Sequence, residues 1–196
     1  VNNQQDNKFK GDLFERLTQV FLQTSSTYVS KLKNVWWCNN NELPKNIRQK
    51  LRLPIADEGI DLICETVEGE FWSVQCKYKA NQNQPLTHKE LSTFTSLSFN
   101  TATDIVLGLV VHTSTKKVRK SNLMTNVTEL GLEKWLGISK EDWKRIRTVC
   151  RSNKLLPPKK RKPRKHQKAA IEDAVHHYSV LSKSRGKLIM PCGTGK

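Results

Sequence analysis

The pattern of apolar and polar residues along this 196-residue chain predicts a succession of helices and strands. Apolar residues at helical spacing in residues 8–23 predict a first helix. The apolar side of that helix comprises Phe9, Leu13, Leu17, Val20 and Phe21. Residues 60–66 and 71–79 are rich in β-branched and aromatic side chains, and they predict two strands joined by a short loop.

The second half of the pattern predicts one buried strand between helices. Thr87 and Glu90 have the spacing of a capping box, so a helix should start there and continue to residue 99. Residues 104–112 form a nearly continuous apolar run, typical of a central strand covered on both faces. Two shorter helices are expected at residues 128–136 and 140–150. This order of elements predicts an α/β sandwich with a central mixed sheet.

The stretch between the first helix and the first strand reads as loop-rich, including residues 35–41. Trp36 and Trp37 in this stretch could stack on nucleic-acid bases, but packing inside the protein is the favoured interpretation.

The two strands of the predicted hairpin bring polar residues together. If the loop has three residues, with Gly69 in the left-handed conformation, the register places Asp61 opposite Gln75. A two-residue turn would shift the register by one and break this match, unless a bulge restored it. Because side chains alternate along a strand, Gln75 and Lys77 share a face, and Asp61 joins them across the hairpin. A carboxylate, an amide oxygen and an ammonium at one place can hold a divalent metal and activate water against a phosphodiester. The alternative is an ordinary solvated hairpin edge.

These residues resemble the PD-(D/E)xK nuclease superfamily in its Mrr-like restriction endonuclease branch, on the motifs Gly59-Ile60-Asp61 and Gln75-Cys76-Lys77. The resemblance implies a restriction-endonuclease-like fold and a Mg²⁺ (or Mn²⁺) site with Asp61, Gln75 and the Cys76 backbone carbonyl as ligands. It implies that Lys77 orients and activates the attacking water. Residues 11–16 resemble the first-helix motif of the family, which implies a supporting role for Glu15. On the helical wheel Glu15 lies away from the apolar side, so a solvated glutamate remains an equal alternative.

The C-terminal segment carries a second resemblance. Residues 185–196 read as a buried strand running into a glycine loop that ends in lysine, the pattern that cradles phosphates. Together with Gln167 upstream, this resembles motif I and the Q motif of superfamily 2 helicases. The implied ATP-binding residues are Gln167, Gly193, Thr194, Gly195 and Lys196. Because only the first helix and strand of a RecA-like domain are present, we expect no ATPase activity from this chain alone.

The predicted domain organisation follows from these two resemblances. Residues 1–153 form the nuclease domain, residues 154–163 a basic proline-rich linker, and residues 164–196 the start of the helicase domain. The linker and its flank are predicted to contact DNA nonspecifically through Lys159, Lys160, Arg161, Lys162 and Arg164.

Composition supports a nucleic-acid partner. The formal net charge is +16, and such a field attracts phosphate polyanions. No apolar run is long enough to span a bilayer, and five cysteines without C-x-x-C spacing indicate reduced thiols, so an intracellular location is expected. The resemblance to restriction endonucleases implies that this location is the bacterial cytoplasm.

The combined motifs resemble the Type ISP restriction enzymes and related nuclease–helicase fusions. The resemblance implies a Mg²⁺-dependent endonuclease module of an ATP-dependent translocase acting on double-stranded DNA. Since a single active site cuts one strand, we expect a second copy to be needed for a double-strand break. Two alternatives stay open: a repair or recombination nuclease–helicase, and a catalytically decayed DNA-binding module, since the amide of Gln75 is a poorer Mg²⁺ ligand than a carboxylate.

Overall fold

The structure is a computed structural model that describes residues 3–38, 42–54, 59–118, 126–152, 163–187 and 189. The chain divides into two units, residues 1–158 and residues 159–196. No helix within the described residues is long and apolar enough to cross a membrane.

The first unit contains five strands and six helices among its described residues. The helices are α1 (Asn3–Thr24), α2 (Ser26–Val29), α3 (Lys45–Lys50), α4 (His88–Ser96), α5 (Leu132–Leu136) and α6 (Lys140–Ser152), and a π-helical turn, Leu97–Thr101, extends α4. The strands are β1 (Leu32–Trp37), β2 (Leu62–Thr66), β3 (Phe71–Lys77), β4 (Ile105–His112) and β5 (Val127–Leu130).

The strands form one mixed sheet in the order β1-β2-β3-β4-β5. The β1–β2 and β2–β3 pairs are antiparallel, whereas β3–β4 and β4–β5 are parallel. One face of the sheet packs on α1, α5 and α6 through a core that includes Phe14, Val74 and Ile146. The other face packs on α4 through a core that includes Ile63 and Phe94. The predicted α/β fold with a central mixed sheet is confirmed.

The hairpin between β2 and β3 has the predicted register. Leu62 pairs with Val74 and Glu65 with Phe71, which is the register that the three-residue loop predicts. The Thr66 N–H donates to the Glu70 carbonyl at 2.8 Å, which closes the three-residue loop. Gly69 has φ +86°, the left-handed conformation that the loop requires.

The helix after the hairpin also starts where the sequence predicts. The side chain of Thr87 accepts the Glu90 N–H, and the Glu90 carboxylate accepts the Thr87 N–H, which completes the capping box. Strand β4 occupies the predicted apolar run, and residues 108–112 are buried on both faces as predicted. Its first half is less covered, since Val106 is exposed at 42%.

Two predictions of secondary structure were wrong. The stretch expected to be loop-rich contains β1, which pairs with β2 along the outer edge of the sheet. The helix expected at residues 128–136 is strand β5 followed by the short α5. Val127 and Leu130 are three apart, a helical spacing, but they enter the cores on opposite faces of the sheet, as they do in a strand.

The apolar side predicted for the first helix was partly wrong. Phe9 and Leu13 are exposed at 65% and 57%, whereas Phe14, Thr18 and Gln19 are buried. Thr18 and Gln19 are buried because their polar groups find partners: Thr18 donates to the Phe14 carbonyl at 2.8 Å, and the Gln19 amide donates to the Val35 carbonyl at 3.1 Å. The tryptophans of β1 pack against the two cores, in agreement with the packing interpretation.

The second unit contains helix α7 (Lys165–Val175) and a π-helical turn, His176–Val180, within its described residues. Gln167 and Arg164 lie at the start of α7, where the Arg164 N–H donates to the Gln167 amide oxygen at 2.9 Å. The other predicted ATP-binding and DNA-binding residues lie outside the described residues: Lys159, Lys160, Arg161, Lys162, Gly193, Thr194, Gly195 and Lys196. The domain boundaries, ATP-binding roles and linker contacts therefore stay predictions.

Candidate active site

Asp61 and Gln75 meet where the β2–β3 ladder ends. Both side chains are buried, with exposures of 5% and 3%. The Gln75 amide nitrogen donates to Asp61 Oδ2 at 2.8 Å, and the Cys76 backbone N–H donates to the same oxygen at 2.5 Å. The Asp61 carboxylate thus accepts the Cys76 N–H, which a backbone carbonyl would accept if the β2–β3 ladder continued. Asp61 immediately precedes β2, and its backbone N–H donates to the Val74 carbonyl at 2.9 Å, which holds its side chain beside Gln75.

The Cys76 carbonyl points to the same side of β3 as the Asp61 carboxylate. The Thr113 N–H donates to the Lys77 carbonyl at 3.3 Å, so Lys77 directs its backbone groups toward β4. Backbone groups of adjacent strand residues point in opposite directions, and Cys76 therefore directs its groups toward β2. Its N–H, which reaches Asp61, shows this directly.

Gly59 provides the backbone conformation beside the site. Its φ is +102°, which side-chain-bearing residues rarely adopt. A Cβ built on Gly59 would lie 3.5 Å from the Gln75 Oε1 and 3.5 Å from the backbone nitrogen of Phe94 in α4. The amide of Gln75 therefore lies on the α4 face of the sheet, with its oxygen close to Gly59.

Lys77 follows Gln75 on the same face of β3, because the two are separated by one residue. Its side chain is half-buried, and it makes no hydrogen bond or ion pair with any residue that the structure describes. In the register of the parallel β3–β4 pair, Lys77 lies beside His112. The predicted catalytic lysine thus stands at the carboxyl end of its strand with a buried histidine on the next strand.

Glu15 lies on the other face of the sheet. The indole N–H of Trp37 donates to its carboxylate at 2.6 Å, so Glu15 is half-buried rather than fully solvated. Cys76 belongs to the core on the α1 face, and Trp37 packs against that core. The negative charge of Glu15 raises the pKa of the Cys76 thiol. The structure brings Asp61 and Gln75 into contact, but it places Glu15 behind β3, next to the thiol.

The thiol of Cys76 stays protonated at neutral pH. Burial raises its pKa well above the usual value of 9.0, and the carboxylates of Asp61 and Glu15 raise it further, although a hydrogen bond with Thr18 opposes them. The Cys76 side chain points into the core on the α1 face, whereas the Gln75 amide lies on the α4 face. Cys76 can therefore contribute only its backbone oxygen to the site.

The donor set fits a hard divalent cation. Asp61 supplies a carboxylate, Cys76 a carbonyl and Gln75 an amide oxygen, which are the oxygen ligands that Mg²⁺ prefers. The Gln75 amide now presents its nitrogen to Asp61; half a turn of the amide would present its oxygen instead. Within the described residues, no three His, Cys, Asp or Glu side chains form a metal-binding group, so the fit rests on the amide and the carbonyl.

One supporting residue was missed by sequence reasoning. Arg48 of α3 donates to the Cys38 carbonyl at 2.8 Å and to the Pro54 carbonyl at 2.5 Å. The Cys38 N–H in turn donates to the Asp61 carbonyl at 2.8 Å, which ties this arginine to the start of the site. No local signal identifies such a role, because its partners lie ten residues before it and six residues after it.

Comparison with known proteins agrees with this architecture. The chain matches the sequence model of a restriction endonuclease family, Mrr_cat_2, over residues 23–152. No curated protein sequence matches the chain at a significant level. A solved structure, the ATP-dependent Type ISP restriction-modification enzyme LlaBIII bound to DNA, shares the fold with a TM-score of 0.55 and 23% identity. That match covers 94% of this chain, which spans only 11% of that enzyme.

The family match covers about two thirds of the chain and includes the whole β2–β3 hairpin with Asp61, Gln75 and Lys77. The mixed sheet and the flanking helices agree with the shared fold of the solved enzyme. This chain belongs to the Mrr-like restriction endonuclease family of the PD-(D/E)xK type and contains its nuclease domain.

Proposed function

We propose that the chain is the Mg²⁺-dependent DNA endonuclease module of an ATP-dependent restriction enzyme of the Type ISP kind. The observation that carries the proposal is the buried contact of Asp61 with Gln75 and the Cys76 N–H, with Lys77 two residues farther along β3. PD-(D/E)xK domains generally use a divalent metal, and the oxygens at this site are of the kind that bind one.

The residues divide the chemistry between them. Asp61, the Gln75 amide oxygen and the Cys76 carbonyl would hold the metal, which supplies an activated water and stabilises charge on the phosphate. The Lys77 ammonium neutralises the negative charge that develops as the water oxygen bonds to phosphorus and the phosphorus–oxygen bond to the leaving group breaks. Burial of Asp61 and Gln75 keeps their geometry fixed through this step.

The motor part of the proposal rests on the resemblance of residues 164–196 to a superfamily 2 helicase and on the shared fold with a Type ISP enzyme. In such an arrangement the nuclease cuts where the translocase delivers it. A repair or recombination nuclease–helicase is the alternative within the same class, and preferential cleavage of flaps or junctions over linear duplex would favour it.

The test is metal-dependent nicking of a supercoiled plasmid by the chain, with Mg²⁺ and separately with Mn²⁺. Asp61→Ala and Lys77→Ala should each reduce nicking to background, because the first removes the charged ligand and the second the ammonium. Asp12→Ala and Lys33→Ala are matched controls, since both side chains are exposed and lie outside the hairpin end. Nicking that survives in both site variants would refute the assignment.

One observation favours a second candidate, a decayed module that binds DNA without cutting it. The Gln75 amide nitrogen satisfies Asp61 through a hydrogen bond, so the site is stable without a cation. For this candidate, the parent chain binds DNA, no divalent ion supports nicking, and Asp61→Ala leaves the affinity unchanged.

A single active site hydrolyses one strand, so we propose that two copies meet to break both strands. Nicked circles should then precede linear plasmid, and the rate of linearisation should rise more steeply than linearly with protein concentration. Linear product from one binding event of a monomer would refute this.

A further inference from the structure

The loops that follow β3 and β4 leave the sheet at the same edge as Lys77. In the parallel β3–β4 pair Lys77 lies beside His112, so both strands end there. Open sheets with parallel strands commonly bind ligands beyond the carboxyl ends of those strands. We define the ledge as residues 79–84 of the first loop and residues 113–117 of the second.

The two loops are joined to each other rather than independent. The Gln82 carbonyl accepts the Thr115 N–H at 2.8 Å and the Ser114 hydroxyl at 3.1 Å. The Thr113 hydroxyl accepts the Lys79 N–H at 2.7 Å. Because these bonds connect segments more than thirty residues apart, the backbone of the ledge is held in one arrangement before any ligand arrives.

A buried polar network of β4 and β5 residues holds the second segment of the ledge. His112 is 1% exposed, and its Nε2 lies 3.3 Å from Glu129 Oε2 on β5. Its Nδ1 accepts the Ser114 N–H at 3.2 Å, so the proton resides on Nε2, which donates to the carboxylate. Glu129 also accepts the Val118 N–H at 2.8 Å, which holds the backbone directly after the second ledge segment.

The outward side of the ledge is polar and basic. Its exposed side chains are Asn81, Gln82, Asn83, Gln84, Thr115, Lys116 and Lys117. Lys79 is neutralised by Glu90, whereas Lys116 and Lys117 make no ion pair with a described residue. The nearby acids are Glu129, engaged with His112, and Glu133, which lines the same 280 Å³ depression as the two lysines.

This combination fits the sugar–phosphate backbone of duplex DNA better than a protein partner. Lysine ammonium groups and amide side chains make the backbone contacts that position a protein on DNA. A protein interface would instead centre on exposed aromatic or large aliphatic side chains. Within the ledge the one apolar side chain is the small Ala80, although the exposed Leu136 of α5 lines the same depression. The chain's net charge of +16 adds a field of the right sign.

We infer that the ledge is a DNA-backbone contact surface that seats the duplex against Lys77, without reading its sequence. The inference rests on the proposed function in naming the same duplex as ligand. The hydrogen bonds between the two loops hold the backbone of the lysines at a fixed place relative to the end of β3. Each phosphate contact therefore also aligns the DNA strand that is cut.

The test measures binding of the 196-residue chain to a short fluorescein-labelled duplex by anisotropy, in EDTA and over a series of salt concentrations. The double variant Lys116→Ala/Lys117→Ala should raise Kd by about tenfold or more at low salt and reduce the salt slope by about 2, the value for two lost phosphate contacts. Gln82→Ala/Gln84→Ala should weaken binding a few-fold, by about 2–5, and leave the slope unchanged because no charge is lost.

Two further variants keep the test specific. Lys140→Ala/Lys144→Ala removes the same charge from exposed positions on α6, outside the ledge, and should change Kd and slope much less. Lys116→Arg/Lys117→Arg keeps both charges and should retain parental binding. Equal losses in the α6 and ledge variants, or no duplex binding by the parent, would overturn the inference.

The outcome is separable from that of the nuclease assignment, because EDTA removes the metal chemistry. Loss of binding in the ledge variant beside a parent that never nicks would sustain the ledge and refute the nuclease. Metal-dependent nicking by the parent with unchanged Kd in the ledge variant would support the nuclease assignment and refute the ledge.

Discussion

Two buried polar pairs lie at neighbouring strand ends, and their balance of donors and acceptors differs. At His112 and Glu129 the histidine donates from one nitrogen and accepts at the other, and the carboxylate takes two donors. The Asp61 carboxylate also takes two donors, from the Gln75 amide and the Cys76 N–H, but rotation of that amide would turn the Gln75 oxygen toward Asp61 and leave acceptors in excess. A network in which every donor has an acceptor stabilises a fold, whereas a site with more oxygen acceptors than donors can bind a cation.

The largest effect on stability is expected from His112→Ala. The substitution leaves a Ser114 N–H and the Glu129 carboxylate without their buried partner, which costs about 1–3 kcal/mol of unfolding free energy. Urea unfolding measures it. His112→Gln retains a donor toward Glu129 and should recover part of the loss. If Asp61→Ala destabilises the chain as much as His112→Ala does, the distinction between a scaffold pair and a ligand pair fails.

Gln75→Glu is expected to strengthen metal binding, with a smaller change in free energy than the stability loss of His112→Ala. A second carboxylate beside Asp61 strengthens the acceptor excess, so the metal concentration for half-maximal nicking should fall about tenfold, or about 1.4 kcal/mol in binding free energy. In EDTA the same variant should melt at a lower temperature than the parent, because two like charges then face each other. A matched control is Gln49→Glu, at an exposed position on α3, outside the site and the ledge. Unchanged metal dependence would exclude Gln75 as a ligand.

The smallest effect concerns a third carboxylate, Glu90, which is only partly buried. Burial raises the pKa of Glu90, but hydrogen bonds from Lys79 and Thr87 outweigh it and leave the pKa below the usual 4.5. A lowered folded-state pKa contributes stability above the unfolded value and loses it as the pH falls through the folded value. Glu90→Gln should therefore be less stable than the parent at neutral pH, and the difference should shrink on acidification below about pH 4.5. Thermal melts at pH 7 and pH 3 measure it, and a difference that grows toward acid would contradict the assignment.

Local signals explain which parts of the fold the sequence could predict. The hairpin register depends on three loop residues and on Gly69, and the capping box on residues three apart, so both were readable in short windows. Strand β5 was not readable, because it is a strand only through its pairing with β4, and its short apolar spacing also suits a helix. The same limit applies to β1.

The candidate site likewise contains residues that the sequence could place and residues that it could not. Asp61 and Gln75 could be placed together from the register alone. The half-buried Glu15 could not, because its environment depends on Trp37, a residue of the unpredicted strand β1. The burial of His112 could not be predicted either, because its partner Glu129 lies on the parallel neighbour β5. Arg48 and the joined loops involve partners that no local pattern connects.

The bond from the Cys76 N–H to Asp61 Oδ2 also gives the site a spectroscopic reporter. The chemical shift of a backbone amide proton depends on the strength of the hydrogen bond that it donates and on the charge of the acceptor. A cation that withdraws electron density from Asp61 weakens this one bond, while the amides of the β3–β4 ladder keep their partners. A single cross-peak in an amide NMR spectrum therefore records the state of the carboxylate, even in a variant that no longer cuts.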